Sequence, residues 1–200
     1  GALRERIGHS DATGAYMSVV EGSGTELMNR WVMRNMGKLN AEDMREYSKM
    51  GTESLQDAPT VIWKPLLASY MTGVGFLSIG RRYLRREEKI LDPNEVLERA
   101  FGAPPLSSEQ VLHPEKYWDP EERDDPIEVV RKTAQLPEGW SVAMEDTFGE
   151  LQLALVTELA DGAVKIDFSN PLSMMSIKYT NEAASGWGGD SVALLTKGEG

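Results

Sequence analysis

Trp140-Ser141-Val142-Ala143-Met144-Glu145-Asp146-Thr147-Phe148-Gly149-Glu150-Leu151 is the stretch where the chain changes its structural period. Trp140, Val142 and Met144 alternate with small or polar residues, the pattern of a half-buried strand. Thr147, with Glu150 three residues on, then reads as a capping box opening a helix through Leu151, Leu155 and Leu159. Further on, Val164 to Phe168 alternates again, Asn170-Pro171 suits another helix start, and Val192 to Leu195 reads as a last strand.

Upstream of Trp140 the signals are helical. From about Thr13 to Met36, Tyr16, Val20, Leu27, Trp31 and Val32 recur at helical spacing, with Met17, Met28 and Met36 beside them. Asn40 with Asp43 can cap a helix running through Met44, Tyr47 and Leu55. Asp92-Pro93-Asn94-Glu95 has an N-cap, a first-turn proline and a glutamate that reaches back. Residues 102–139 are proline-rich and loop-like, with a short helix after Ser107. The expectation is an α+β fold in one compact unit: a helical region 1–101, a connecting region 102–139 and a small mixed region 140–200.

Composition narrows the function. With 32 acidic against 21 basic residues the formal net charge is −11, which argues against nucleic acid, because phosphate binding needs a basic footprint. The absence of cysteine removes disulfides, thiolate metal sites and cysteine nucleophiles. Residues 61–79 carry one charge, Lys64, but Pro65, Ser69, Thr72, Gly73, Gly75 and Ser78 dilute the stretch. A buried helix, or a pair broken near the glycines, is expected there in place of a membrane span. The chain opens on Gly1 with no basic-then-apolar segment, and reads as a processed protein or a fragment.

Three groups of residues carry possible chemistry. Glu21 has Met17, Gly24, Thr25 and Met28 as its helical neighbours and no lysine or arginine at those spacings. Such a carboxylate is either solvated or, if buried, in need of a cation, donors or a proton. Gly22 and Gly24 beside it suggest that something approaches the backbone closely. His113 stands in Pro104-Pro105-Leu106-Ser107-Ser108-Glu109-Gln110-Val111-Leu112-His113-Pro114-Glu115-Lys116-Tyr117-Trp118. It can bind metal or move protons, with Glu109 four residues earlier to orient it and Tyr117 nearby. The same three residues equally suit a structural role, tying a long loop to the body. Third is Gly186-Trp187-Gly188-Gly189-Asp190: Trp187 suits a packing plug with its N–H satisfied, and Asp190 a turn cap or a cation ligand.

Ser18-Val19-Val20-Glu21-Gly22-Ser23-Gly24-Thr25 is similar to the Val-Glu-Gly helix of bacterial HExxH proteins, zinc-metallopeptidase-like proteins of gluzincin type that are mostly exported. The segment from Pro105 to Tyr117 closely resembles their Pro-Pro-x-Ser-x-Glu-Gln-x-Leu-His-Pro-x-Lys-Tyr block. Glu145 to Leu151 and Ala183 to Asp190 match two later blocks, in the same order. The resemblance implies zinc as cofactor, Glu21 as third metal ligand, a peptide or protein substrate, and an exported or cell-envelope location, with a cytoplasmic one left open. The chain departs from the pattern in one respect: no His-Glu-x-x-His occurs in it, and His9-Ser10-Asp11-Ala12-Thr13 does not replace it. The resemblance therefore implies the part downstream of that helix, inactive alone unless upstream residues complete it. The alternative is a non-catalytic binding or scaffold module.

Overall fold

The computed structural model describes residues 9–43, 46, 58–129, 136–161 and 176–198. Among them run α1 (Ser10–Asn35), a 3-10 turn (Met36–Lys38), α2 (Thr60–Arg86), α3 (Glu95–Gly102), α4 (Ser108–Leu112), α5 (Glu115–Trp118), β1 (Trp140–Asp146), α6 (Gly149–Asp161) and β2 (Val192–Lys197). The architecture is α+β and helix-rich at its N-terminal end, as the change of period predicts.

The two long helices pack through small residues. A Cβ on Gly22 would lie 2.4 Å from the Gly73 backbone, and one on Gly73 would lie 1.9 Å from the Ser18 carbonyl oxygen. Only glycine permits that approach. Contacts advance together along both helices, from Gly22 beside Gly73 to Glu26 paired with Arg81 at 2.6 Å, so α1 and α2 run in the same sense. The buried face of α1 is Asp11, Ala12, Ala15, Ser18, Val19 and Gly22. The bulky residues whose spacing marks the helix are not its core face: Leu27 and Trp31 are exposed, because close helix contact favours small side chains and turns large ones outward.

Residues 61–79 belong to one unbroken helix, without a break at the glycines. No helix among the described residues is long and apolar enough to cross a membrane. Phe76, Leu77 and Leu84 of α2 meet Val96 and Ala100 of α3, Val111 of α4, and Tyr117 and Trp118 of α5. Phe76, Tyr117 and Trp118 form an aromatic cluster with centroid distances of 4.7–5.2 Å. The Trp118 indole N–H donates to the Phe76 carbonyl at 3.1 Å, and its ring lies where a Cβ on Gly80 would stand.

The Asn40 side chain accepts from the Glu42 and Asp43 N–H groups, while Asp43 accepts from the Asn40 N–H, the expected box; most of the helix expected after it falls outside the described residues. α3 starts at Glu95 with Asn94 as N-cap, two residues later than expected, because the Asp92 carboxylate accepts from the Asn94 N–H in a turn of its own. β1 and β2 pair antiparallel from Trp140↔Lys197 to Asp146↔Val192 with an irregularity between Val142 and Met144. Both faces of β1 are largely exposed, so its alternation does not mark burial. The strand and helix expected at 164–171 lie outside the described residues.

Candidate functional site

The segment 104–118 folds inward. Ser107 caps α4, its hydroxyl accepting from the Gln110 N–H at 3.3 Å. Ser107, Ser108, Glu109 and Gln110 are all buried. Gln110 is used at both ends: its carbonyl oxygen accepts from the Leu106 N–H, and its amide donates to the Asp124 carbonyl and the Asp125 carboxylate, each at 2.8 Å. Buried polar groups need such partners, since each unmade bond costs about 1–3 kcal/mol.

Glu109 does not orient His113. Its carboxylate accepts from the Lys116 ammonium at 2.6 Å, and Lys116 also reaches Asp124 at 2.9 Å. Burial pushes Glu109 above the usual carboxylate range, against the pull of Lys116. The α4 turn ends at His113, and the imidazole instead meets Glu150 of α6, Nε2 to Oε1 at 2.9 Å. The Thr180 hydroxyl donates to the same oxygen. Glu150 is fully buried, and its second oxygen has no hydrogen-bond partner among the described residues. Tyr117 is buried, its hydroxyl donating to the Ala103 carbonyl at 2.5 Å; burial pushes the phenol up.

The expected capping box at Thr147 is replaced by a tertiary cap. Asp190 accepts from the Phe148 N–H at 2.8 Å, the Gly149 N–H at 2.9 Å and the Trp187 indole N–H at 2.7 Å. A carboxylate at this helix start takes free N–H groups and suits the positive end of the helix dipole. Glu150, which would have reached back as the partner in the box, is committed to His113. Trp187 is buried, a plug with its N–H satisfied.

Two residues of this junction escaped the sequence reading. The Asp11 carboxylate accepts from the Ser108 N–H at 3.0 Å and fills the space where a Cβ on Gly149 would stand, 1.9 Å away. Gly149 also has φ +75, so glycine is required on both counts. Burial, with Asp190 and Glu109 nearby, pushes Asp11 up to about 6, although its bonds with Ser108 oppose the shift. Asp146 accepts from the Ser10 N–H at 2.8 Å and from its hydroxyl, which hold it below the usual range against burial. The signal for Asp11 was a carboxylate in the first turn of a helix, which reads equally as a surface cap. His9 is the N-cap of α1, accepting from the Ala12 N–H at 3.3 Å.

Glu21 sits elsewhere. Asp11 and Glu21 are ten residues apart on α1, about 15 Å along the axis, and Glu21 is half-buried beside Tyr70 of α2. Burial, the Glu21 charge and a hydrogen bond to its carboxylate push the Tyr70 phenol up. Among the described residues no lysine or arginine forms an ion pair with Glu21. Gly24 has open space where a Cβ would point, unlike Gly22. The expectation of close backbone approach thus holds at Gly22, where α2 makes it. No hydrogen bond or ion pair among the described residues joins Glu21 to His113, and no group of three or more histidine, aspartate or glutamate side chains among them is arranged to hold a metal ion. Compared with models of known families, with curated proteins and with solved structures, the chain matches none.

Proposed function

We propose that this chain is the downstream portion of a zincin-like zinc metallopeptidase of an exported or cell-envelope protein. In this reading it contributes one metal-ligating carboxylate, Glu21, and the remaining ligands come from residues outside the chain. The observation that carries the proposal is the placement of Glu21. It lies half-buried beside the Tyr70 phenol of α2 and without a basic partner among the described residues. A carboxylate with free acceptor capacity and no basic neighbour is suited to a cation. The ordered resemblance of four sequence blocks adds zinc and a peptide substrate to that picture.

The described residues alone do not form a zinc site, so no catalytic step is assigned to them. Zinc, when bound by a complete set of ligands, supplies an activated water for attack on a peptide carbonyl. The role of 104–118 in this proposal is to hold α6 and α1 in place. A polypeptide that includes the completing residues, purified without chelator, is expected to carry about one zinc per molecule. Replacing Glu21 by Gln should weaken that binding by about tenfold or more. Unchanged affinity would refute the ligand assignment.

A second reading, a non-catalytic binding or scaffold module, is favoured by one observation: His113, Glu109, Tyr117 and Asp190 all make internal bonds. Under that reading the completed polypeptide binds no zinc above background.

A further inference from the structure

A cavity of about 70 Å³ lies between α1, α2, α4 and the start of α6. Ser10, Asp11, Ser18, Thr72 and Ser108 form its polar side, and Val111, Phe148 and Leu151 its apolar side. The exposed Gly14 and Phe148 mark its opening to solvent. Among the described residues, each of these hydroxyls has already given its proton to a neighbour. Ser10 donates to Asp146, Ser18 to the Gly14 carbonyl at 3.1 Å, Thr72 to the Ala68 carbonyl at 2.6 Å, and Ser108 to Asp11. The backbone N–H groups that open the surrounding helices are taken as well. Ala12 donates to His9, Ser108 to Asp11, Leu151 to the Ser108 hydroxyl, and Phe148 and Gly149 to Asp190. What this lining keeps is acceptor capacity, in the lone pairs of the hydroxyl oxygens and of the Asp11 carboxylate. Gln152 is the one lining side chain that brings N–H groups, and its amide oxygen accepts too.

We propose that this cavity binds a primary alkylammonium group, the tip of a lysine side chain or a free small amine. A wall of acceptors around one buried carboxylate selects a guest that donates hydrogen bonds and carries positive charge. The apolar side suits a short run of methylenes beside the ammonium. Size sets the upper limit: a benzene-sized guest needs about 150 Å³, so aromatic amines are too large. The charged groups facing Asp11 are Glu109 of α4 and Asp190 ahead of β2, both acidic, while α2 presents the uncharged Thr72. Asp146 lies next to it through Ser10, with His9 close by. Lys116 is paired with Glu109, three N–H groups hold Asp190, and Ser10 holds Asp146, so Asp11 is the carboxylate best placed to meet the guest. Burial pushes Asp11 up to about 6, so the cation binds above that pH and displaces a proton. The site lies about 15 Å along α1 from Glu21 and does not rest on the zinc reading.

Titration of the 200-residue chain with propylammonium chloride at about pH 8, followed by two-dimensional amide NMR, tests this. The Ser108 and Leu151 amides should shift, with a dissociation constant of about 1 mM. Propanol, similar in size but uncharged, should bind about tenfold more weakly. At about pH 5 propylammonium should also bind about tenfold more weakly, because Asp11 then holds its proton. Asp11→Asn retains an acceptor for the Ser108 N–H and should lose the preference for ammonium over alcohol. Gly14→Leu adds a side chain where no atom stands, so Tm should hold or rise while the closed mouth abolishes binding. Nα-acetyl-lysine methylamide separates the two sources: binding equal to propylammonium assigns the cavity to a lysine side chain, and no binding assigns it to free small amines. The proposal is overturned by an absence of shifts at about 10 mM propylammonium, or by equal binding of propanol. Unchanged binding in Asp11→Asn or in Gly14→Leu overturns it as well.

Discussion

The junction around Glu150 and the outer face around Glu21 both centre on a glutamate that sits among apolar helices, and they differ in what surrounds the carboxylate. Glu150 is sealed, bonded to His113 and Thr180, with Asp190 capping its helix and Asp11 wedged against Gly149. Glu21 is half-open, touches one phenol, and has empty space at Gly24 on the next turn. Dense polar bonding in the first region supports the fold; sparse bonding in the second leaves a carboxylate able to act on something else. Chemically capable side chains crowd together in 104–118, but their hydrogen bonds point inward.

Substitutions that treat the two regions alike should give unlike results. The largest effect is expected from Gly149→Ala. Its positive φ and the Asp11 carboxylate in the Cβ position together cost about 3 kcal/mol or more, seen as a collapse of the urea midpoint. The matched change on the outer face, Gly24→Ala, meets no atom and should stabilise by up to about 1 kcal/mol through helix propensity. Equal effects of the two would erase the distinction.

A pH titration sharpens it. Asp11 is raised from 3.8 to about 6 in the folded chain, so the native state holds the proton more tightly than the unfolded one. The stabilisation is complete below about pH 4 and is lost as pH rises through about 6, up to about 3 kcal/mol in all. Asp146 is shifted the other way, and its contribution is lost as pH falls below the ordinary carboxylate range. Chemical denaturation between pH 4 and 7 should show the first slope, and Asp11→Asn should flatten it. The smallest effect is expected from Met17→Ser, which should change stability by no more than about 0.5 kcal/mol, since Met17 is 38% exposed.

Much of the fold was legible in local periodicity. The strand at Trp140, the helix after Gly149, the turn after Ser107 and the last strand all stand where their patterns put them. What misled was any inference from side-chain size or local pairing to tertiary partners. The bulky residues of α1 looked like its core face, yet the close approach at Gly22 and Gly73 turned them outward. Glu109 stood at the right spacing to orient His113, but Lys116 took it, and Thr147 looked like a cap whose place Asp190 fills from 43 residues away. Such long-range choices depend on packing that no local window contains. Of the four blocks that carry the resemblance, the three at 105–117, 145–151 and 183–190 converge, though on a structural junction.

Thermal unfolding of His113→Ala beside Glu21→Gln puts the distinction to its most direct trial. Losing the imidazole strips a buried carboxylate of a partner, about 2 kcal/mol, or roughly 4–8 °C in Tm for a chain of this size. Glu21→Gln should leave Tm within about 2 °C. The account is contradicted if Glu21→Gln unfolds the chain while His113→Ala leaves it untouched, because the sealed junction would then be dispensable and the open carboxylate structural.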